Sequence, residues 1–270
     1  SLGDVAKDLH VSVQTIISWF YPFWSCPPDP CLPKDPVRVL VLDGTSVSKR
    51  VCMLLIGADA DKGKPVSWGP VARECYEAWR QFLLSLKKSG LSPPYVVCDG
   101  QRGLLKALRE VWPSTKAQRC LIHVVRQAMA WTTQNPRTKA GRELLILLRR
   151  LPQIQTKRQK RRWIHAFNYW RRKTGKFLKE RTYGPSGRWW YTHRKLRAVR
   201  SLVGNAIPDL FRFVTDPTVP KTSNHVEGGI NARLKELFRC HRGLVLKRKL
   251  ALAAWYLALR QGQKPTRNFN

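Results

Sequence analysis

Two apolar runs in this chain close on the same pair of residues. VRVLVLDG ends at Asp43–Gly44 and YVVCDG at Asp99–Gly100. Short runs rich in Val, Leu and Ile read as buried strands, and Asp-Gly is a turn that stops them. The neighbouring segments fit a sheet. VCMLLIGA (51–58) and PVSWGPVA (65–72) read as two more strands, joined by the turn DADKGK. ECYEAWRQFLLSLKKSG has helical periodicity, with Tyr76, Trp79, Phe82, Leu83 and Leu86 on one face and Gly90 as its C-cap. LLKALREVWP is a helix stopped by Pro113, and TKAQRCLIHVV starts as a strand and turns helical near Cys120. The order over 37–125 is β-β-β-α-β-α-β, an α/β core whose first three strands form an antiparallel meander. Sites in open α/β sheets lie beyond the carboxyl ends of strands, where Asp43 and Asp99 are expected.

The flanks differ in character. Residues 1–20 read as two short helices broken at His10–Ser12, with Ser12 capping the second, Val13 to Phe20. The pair is similar to a helix-turn-helix, though a plain helical hairpin has the same pattern. Ser1 falls inside the first helix, so a fragment boundary is expected there. Residues 21–36, YPFWSCPPDPCLPKDP, are too rich in Pro for helix or strand and read as a linker. Residues 126–220 lose the strand pattern and read as a basic, all-helical insertion with a loop at YGPSG. Residues 221–270 return to the core as one or two helices, broken near Arg242–Gly243.

Charge narrows the partners. Fifty Lys and Arg against seventeen Asp and Glu leave a net charge of +33. That is the footprint of a nucleic-acid binder, with an unspecific cationic protein as the plainer reading. No run is long and apolar enough to span a bilayer and no signal peptide is read. Seven scattered Cys fit a reducing, cytoplasmic compartment. Cys26 and Cys31 read as unpaired loop thiols.

Carboxylates placed in motifs within so basic a chain point to a divalent metal working on a phosphate. Asp43, Asp99 and Glu227 of SNHVEGGINARLKEL are hard oxygen ligands suited to Mg²⁺ or Mn²⁺. Two such ions about 3.5–4 Å apart serve in-line displacement at phosphorus, Asp43 bridging both and Asp99 and Glu227 each serving one. The plainer readings are turn-forming Asp residues and a capping-box variant from Asn224 to Glu227. Gly228 and Gly229, in the first turns of a helix, are better explained by close backbone approach to a metal site or DNA. Asp59 and Asp61 read as hairpin-turn residues, and Glu74 and Glu77 as solvent-facing at a helix start. Cys120 and His123 form C-x-x-H without a partner pair. They read either as a buried thiol and a capping His or as a pair orienting Asp99 or a phosphate. Trp163, Phe167 and Trp170 have core spacing. Trp189 and Trp190, with Tyr191, run consecutively and are candidates for stacking on bases. Further candidate DNA contacts are Arg119, Lys157, Arg158, Arg161, Arg162, Arg171, Arg172 and Arg233.

Together LDGT at Asp43, CDG at Asp99, RC-x-x-H at Arg119 to His123 and SNHVEG at Glu227 resemble the DDE transposases of the Mutator-like superfamily, bacterial insertion-sequence type. The resemblance covers about 37–260. It implies an RNase H-like mixed sheet, which would bring Asp43 and Asp99 together, and an all-helical insertion before the Glu. It also implies two-ion Mg²⁺-dependent strand cleavage and transfer, with Asp43, Asp99 and Glu227 as the triad. Cys120 and His123 match its C-x-x-H signature, and Asn224 and His225 lie in its motif around the Glu. Its partners would be transposon-end and target DNA, no membrane, and a second copy or more on DNA, in the bacterial cytoplasm at the nucleoid. A structure-specific nuclease on the same fold, a catalytically silent DNA binder and a polybasic RNA-binding protein are the competing classes.

Overall fold

The computed structural model describes residues 2–264, apart from the side chains of His225 and Glu227. The chain divides into two units. One comprises Ser1–Pro93, Lys106–Trp112 and Asn224–Asn270, the other Pro94–Leu105 and Pro113–Ser223.

The first unit opens with helices α1 (Leu2–Asp8) and α2 (Val13–Ser25). The break falls where the sequence puts it, and Ser12 Oγ accepts from the Thr15 N–H at 3.0 Å. Helix α2 does not stop at Phe20, however. It runs through Pro22 into the segment read as linker. Proline inside a helix removes one ladder hydrogen bond. Here tertiary contacts hold the last turn: the Trp255 indole donates to the Phe23 carbonyl at 2.7 Å, and the two rings meet edge-on at 5.0 Å.

Strands β1 (Val39–Ser48), β2 (Cys52–Asp59) and β3 (Lys64–Val71) form the expected antiparallel meander. Val39 to Leu42 are each at most 1% exposed, so both faces of β1 are covered, as a continuous apolar run requires. One expectation is corrected. Asp43–Gly44 does not end the strand. Asp43 pairs with Ile56 and Gly44 with Leu55, and β1 continues to Ser48. Cross-strand pairing with β2 overrides the local turn preference of Asp-Gly. Helix α3 (Tyr76–Lys88) buries Trp79, Phe82, Leu83 and Leu86, while Tyr76 stays partly exposed and bonds Glu110.

The second unit holds β4 (Tyr95–Cys98), the start of α4 (Arg102–Val111) and β5 (Lys116–Arg119). Strands β4 and β5 pair in parallel, Cys98 opposite Arg119. Helices α5 (Leu121–Thr132), α6 (Lys139–Arg150) and α7 (Lys157–Lys173) follow. Then come β6 (Arg181–Tyr183), β7 (Trp189–Tyr191), α8 (Arg194–Ala206) and the short α9 (Arg212–Thr215). The insertion is therefore not all-helical. Its YGPSG loop is the tip of a small antiparallel hairpin, with Thr182 opposite Trp190. Thr, Tyr and Trp are good strand residues, but three on each side are too few to register as a period. Trp163, Phe167 and Trp170 are core as expected, stacked in series at 5.5 and 5.9 Å. Gln118, fully buried, ties β5 to the insertion: its amide donates to the Leu210 carbonyl at 3.0 Å and accepts from the Arg212 N–H at 2.8 Å.

The chain then re-enters the first unit through a π-helix, His225–Asn231, followed by α10 (Ala232–Cys240) and α11 (Leu246–Gln261). The Gln261 amide clasps the Pro-rich segment to β3, donating to the carbonyls of Cys31, Pro65 and Val66 and accepting from the Cys31 N–H. Mixed α/β is thus the class: three antiparallel strands in one unit, two parallel strands in the other, and helices in both. Among the described residues no helix is long and apolar enough to cross a membrane.

Candidate active site

Asp43 stands in the middle of β1, half-buried, with its carboxylate held from two sides. Oδ1 accepts the Gly44 N–H at 2.9 Å, and Oδ2 accepts Nδ2 of Asn231 at 2.6 Å. Asn231 is 1% exposed and closes the π-helix that carries Glu227. Glu227 and Asn231 are four residues apart in this π-helix. A π-turn inserted into a helix shifts the register of the next turns, a device frequent at functional sites. The backbone bearing Glu227 is thereby tied to the strand bearing Asp43. The side chains of Glu227 and His225 lie outside the described residues.

Glu74 belongs to the same neighbourhood, which corrects its reading as solvent-facing. Its carboxylate accepts the Trp79 indole N–H at 3.1 Å and lies 2.8 Å from where a Cβ on Gly44 would stand. A buried indole needs an acceptor, and Glu74, five residues before it, supplies one. Glu77 is exposed as expected. Asp59 is a turn residue, accepting the N–H groups of Asp61 and Lys62, and Asp61 pairs with Arg38. Among the described residues, chain neighbours and the helix's own backbone apart, nothing lies within 4 Å of a Cβ placed on Gly229, and one on Gly228 would meet Asn224.

The donors suit a hard cation. Thr45 Oγ1, two residues along β1 from Asp43, and Asn231 Oδ1 are both buried and have no hydrogen-bond partner among the described residues. Most buried polar atoms in proteins are paired, and a carboxylate, a hydroxyl and an amide oxygen are the donor types that Mg²⁺ or its water shell takes. Among the described residues no three His, Cys, Asp or Glu side chains converge as a metal cage.

Asp99, in the second unit, comes directly after β4 as the sequence predicts. Its Oδ1 accepts the Gln101 N–H at 2.8 Å. Gly100 has φ +85°, and a Cβ there would fall 1.9 Å from Nε of Arg119. Arg119 thus lies on Gly100. It is 7% exposed, so little of it is open to DNA, for which the sequence makes it a candidate contact. Burial lowers its pKa, opposed by Cys98, Asp99 and Asp209. The neighbouring Cys98 thiol is pushed up to about 12, chiefly by burial and then by Asp99. Cys120 caps α5 and is fully buried. Burial raises its pKa, and contacts to His123 and Ser223 more than offset that, so the thiol titrates below the ordinary value. A thiol reagent acting on the native protein should label exposed Cys26, Cys31 and Cys240 and spare Cys52, Cys98 and Cys120. Mass spectrometry of the digest checks this, and early labelling of Cys120 would contradict its burial.

The other candidate DNA contacts sort by exposure. Lys157, Arg158, Arg161 and Arg162 are exposed in the first turns of α7. Cations at the positive end of a helix dipole are unfavourable unless an anion joins them. Arg171 lies over Phe167 and Arg172 is exposed. Trp189 and Trp190 are 42% and 44% exposed on β7. Arg233, exposed on α10, pairs with Glu236 at 2.8 Å. Sequence alone does not mark Asn231 or Glu74 as functional. For Asn231 the available signal is its i,i+4 spacing from Glu227.

Comparison with known proteins places the chain. The family described as "Transposase, Mutator family" matches residues 29–182. A probable transposase for an insertion sequence element of Corynebacterium diphtheriae is 24% identical over 200 residues, covering 70% of this chain and 58% of that protein. The transposase for insertion sequence element IS256 in transposon Tn4001 of Staphylococcus aureus is 27% identical over 141 residues, 51% of this chain and 36% of that one. The chain spans little more than half the length of the first of these relatives. A chain from the simian T-cell lymphotropic virus intasome in complex with PP2A regulatory subunit B56 gamma is similar at 11% identity, over 58% of this chain and 70% of that one. Its TM-score of 0.25 gives it no weight here. With the family match extending over more than half of its length, the chain belongs to the Mutator family of transposases.

Proposed function

We propose that this chain carries the catalytic centre of a DDE transposase on an RNase H-like core. It would cleave a DNA strand at a transposon end and transfer the resulting 3′-OH into target DNA. The observation that carries the reading is the Asn231–Asp43 hydrogen bond of 2.6 Å, which joins the segment bearing Glu227 to the strand bearing Asp43. Asp43, Asp99 and Glu227 would hold two Mg²⁺ or Mn²⁺ ions, whose chemistry when bound would be to activate the attacking oxygen and stabilise the leaving one. Asn231 fixes the Asp43 carboxylate. Exposed cations of α7 hold phosphates, and α1–α2 is read as an end-recognition element. Pairing two ends calls for at least two copies on the DNA.

The test is an assay with Mg²⁺, labelled candidate end DNA and a target plasmid, run beside Asp99→Asn. Joining of a 3′ end to target that depends on Asp99 supports the reading. Cleavage without joining favours a nuclease, and binding without either a DNA-binding protein. Asn231→Ala should lower cleavage roughly 10- to 100-fold and raise the Mg²⁺ needed, with end binding retained. Wild-type activity at limiting Mg²⁺ would remove Asn231 from the site.

A further inference from the structure

Two depressions on the second unit adjoin along α7 and α8. One, of about 540 Å³, is lined by Arg171, Arg194, Arg197 and Arg200 together with Tyr191. The other, of about 600 Å³, shares Arg171 and Arg200 and adds further cations from the end of α7 and the turn after it. Among the described residues no Asp or Glu lines either. Arg194, Arg197 and Arg200 recur every third residue of α8, on one face. A Cβ on Gly204, one turn further, would stand 3.9 Å from Arg171. The Arg171 side chain thus reaches α8 there. So many like charges without a carboxylate among them repel one another, and a polyanion relieves that repulsion.

Tyr191 of the aromatic hairpin lines the first depression, and beside it Arg181 lies over the Trp189 ring at 4.0 Å. The Arg197 guanidinium lies 3.6 Å from the centroid of the Tyr191 ring. Trp189 meets Tyr191 edge-on at 5.3 Å, on the same side of β7. Trp190 points to the other side and packs over Gly184. A basic groove continued by aromatic rings is the layout that tracks an unpaired strand. A duplex keeps its bases stacked on one another and so offers none to the rings.

We propose that this groove binds the sugar–phosphate backbone of an unpaired DNA strand, with its bases against Trp189. The inference rests on the reading of the chain as acting on DNA. Its test is run in EDTA and reads binding alone, so its failure is distinguishable from failure of the catalytic reading. The full chain is titrated with labelled oligothymidine and with duplex of equal length, by fluorescence anisotropy at several salt concentrations. Trp189→Ala should weaken oligothymidine binding roughly tenfold and duplex binding much less, while Trp190→Ala changes neither. The double variant Arg171→Gln/Arg200→Gln should lower the log–log salt slope for the single strand by about 1.4, and Arg171→Lys/Arg200→Lys should restore it. Equal losses for Trp189→Ala and Trp190→Ala, equal losses on single strand and duplex, or an unchanged slope in a folded Gln variant would each overturn the proposal.

Discussion

Asp43→Asn is expected to lower strand cleavage by at least about a thousandfold, the scale of removing several kcal/mol of transition-state stabilisation, and to leave end binding within a factor of a few. The substitution keeps shape and removes charge. Asp43 accepts one hydrogen bond from the Gly44 backbone and one from the Asn231 amide. A new Asn can still accept from Gly44. Its NH₂ then faces Asn231, which can turn its amide and offer its orphaned Oδ1 instead. The fold therefore loses little, and what disappears is an anionic oxygen ligand. Asp99→Asn keeps its turn as well, since Asn makes the same bond to Gln101. Glu227→Gln should behave alike. The measurement is single-turnover cleavage of labelled end DNA in Mg²⁺, with anisotropy for binding. Cleavage within tenfold of wild type, or binding lost along with it, would take Asp43 out of this role.

The parts of this design that repeat were legible in the sequence. Strand order, the buried face of α3 and the Trp163–Phe167–Trp170 series arise from periods of two or 3.6 residues sustained over several turns. Single decisions were harder to read. Whether Asp43–Gly44 ends a strand depends on β2 lying alongside, not on the dipeptide. Pro22 sits in a helix because Trp255, more than two hundred residues later, holds that turn. The π-helix at His225–Asn231 has no propensity of its own to betray it. The site shows the same division. Its carboxylates were visible as motifs, whereas Asn231 and Glu74 became visible only as the partners of Asp43 and Trp79.

Gly100→Ala tests the least conspicuous part of the CDG motif. It is expected to destabilise the second unit by about 3 kcal/mol, with loss of cleavage resulting from the displaced turn at Asp99. Two effects contribute. A side chain at φ +85° is strained, at a cost of about 1–3 kcal/mol. The new methyl would also fall 1.9 Å from Nε and 2.8 Å from Cδ of Arg119, a side chain 7% exposed and packed among buried neighbours. Gly44 makes the contrast. Its φ lies outside the left-handed region, and the atoms nearest an added Cβ are those of the Glu74 carboxylate, from 2.8 Å, the far end of a flexible side chain that can shift. Denaturant unfolding of Gly44→Ala, Gly100→Ala, Arg119→Ala and the double variant Gly100→Ala/Arg119→Ala separates the terms. The double variant should be less destabilised than the sum of its singles, because removing Arg119 relieves the overlap and leaves only the backbone strain. Strict additivity, or a Gly100→Ala no worse than Gly44→Ala, would mean that Arg119 does not rest on Gly100, and that the glycine answers to the turn alone.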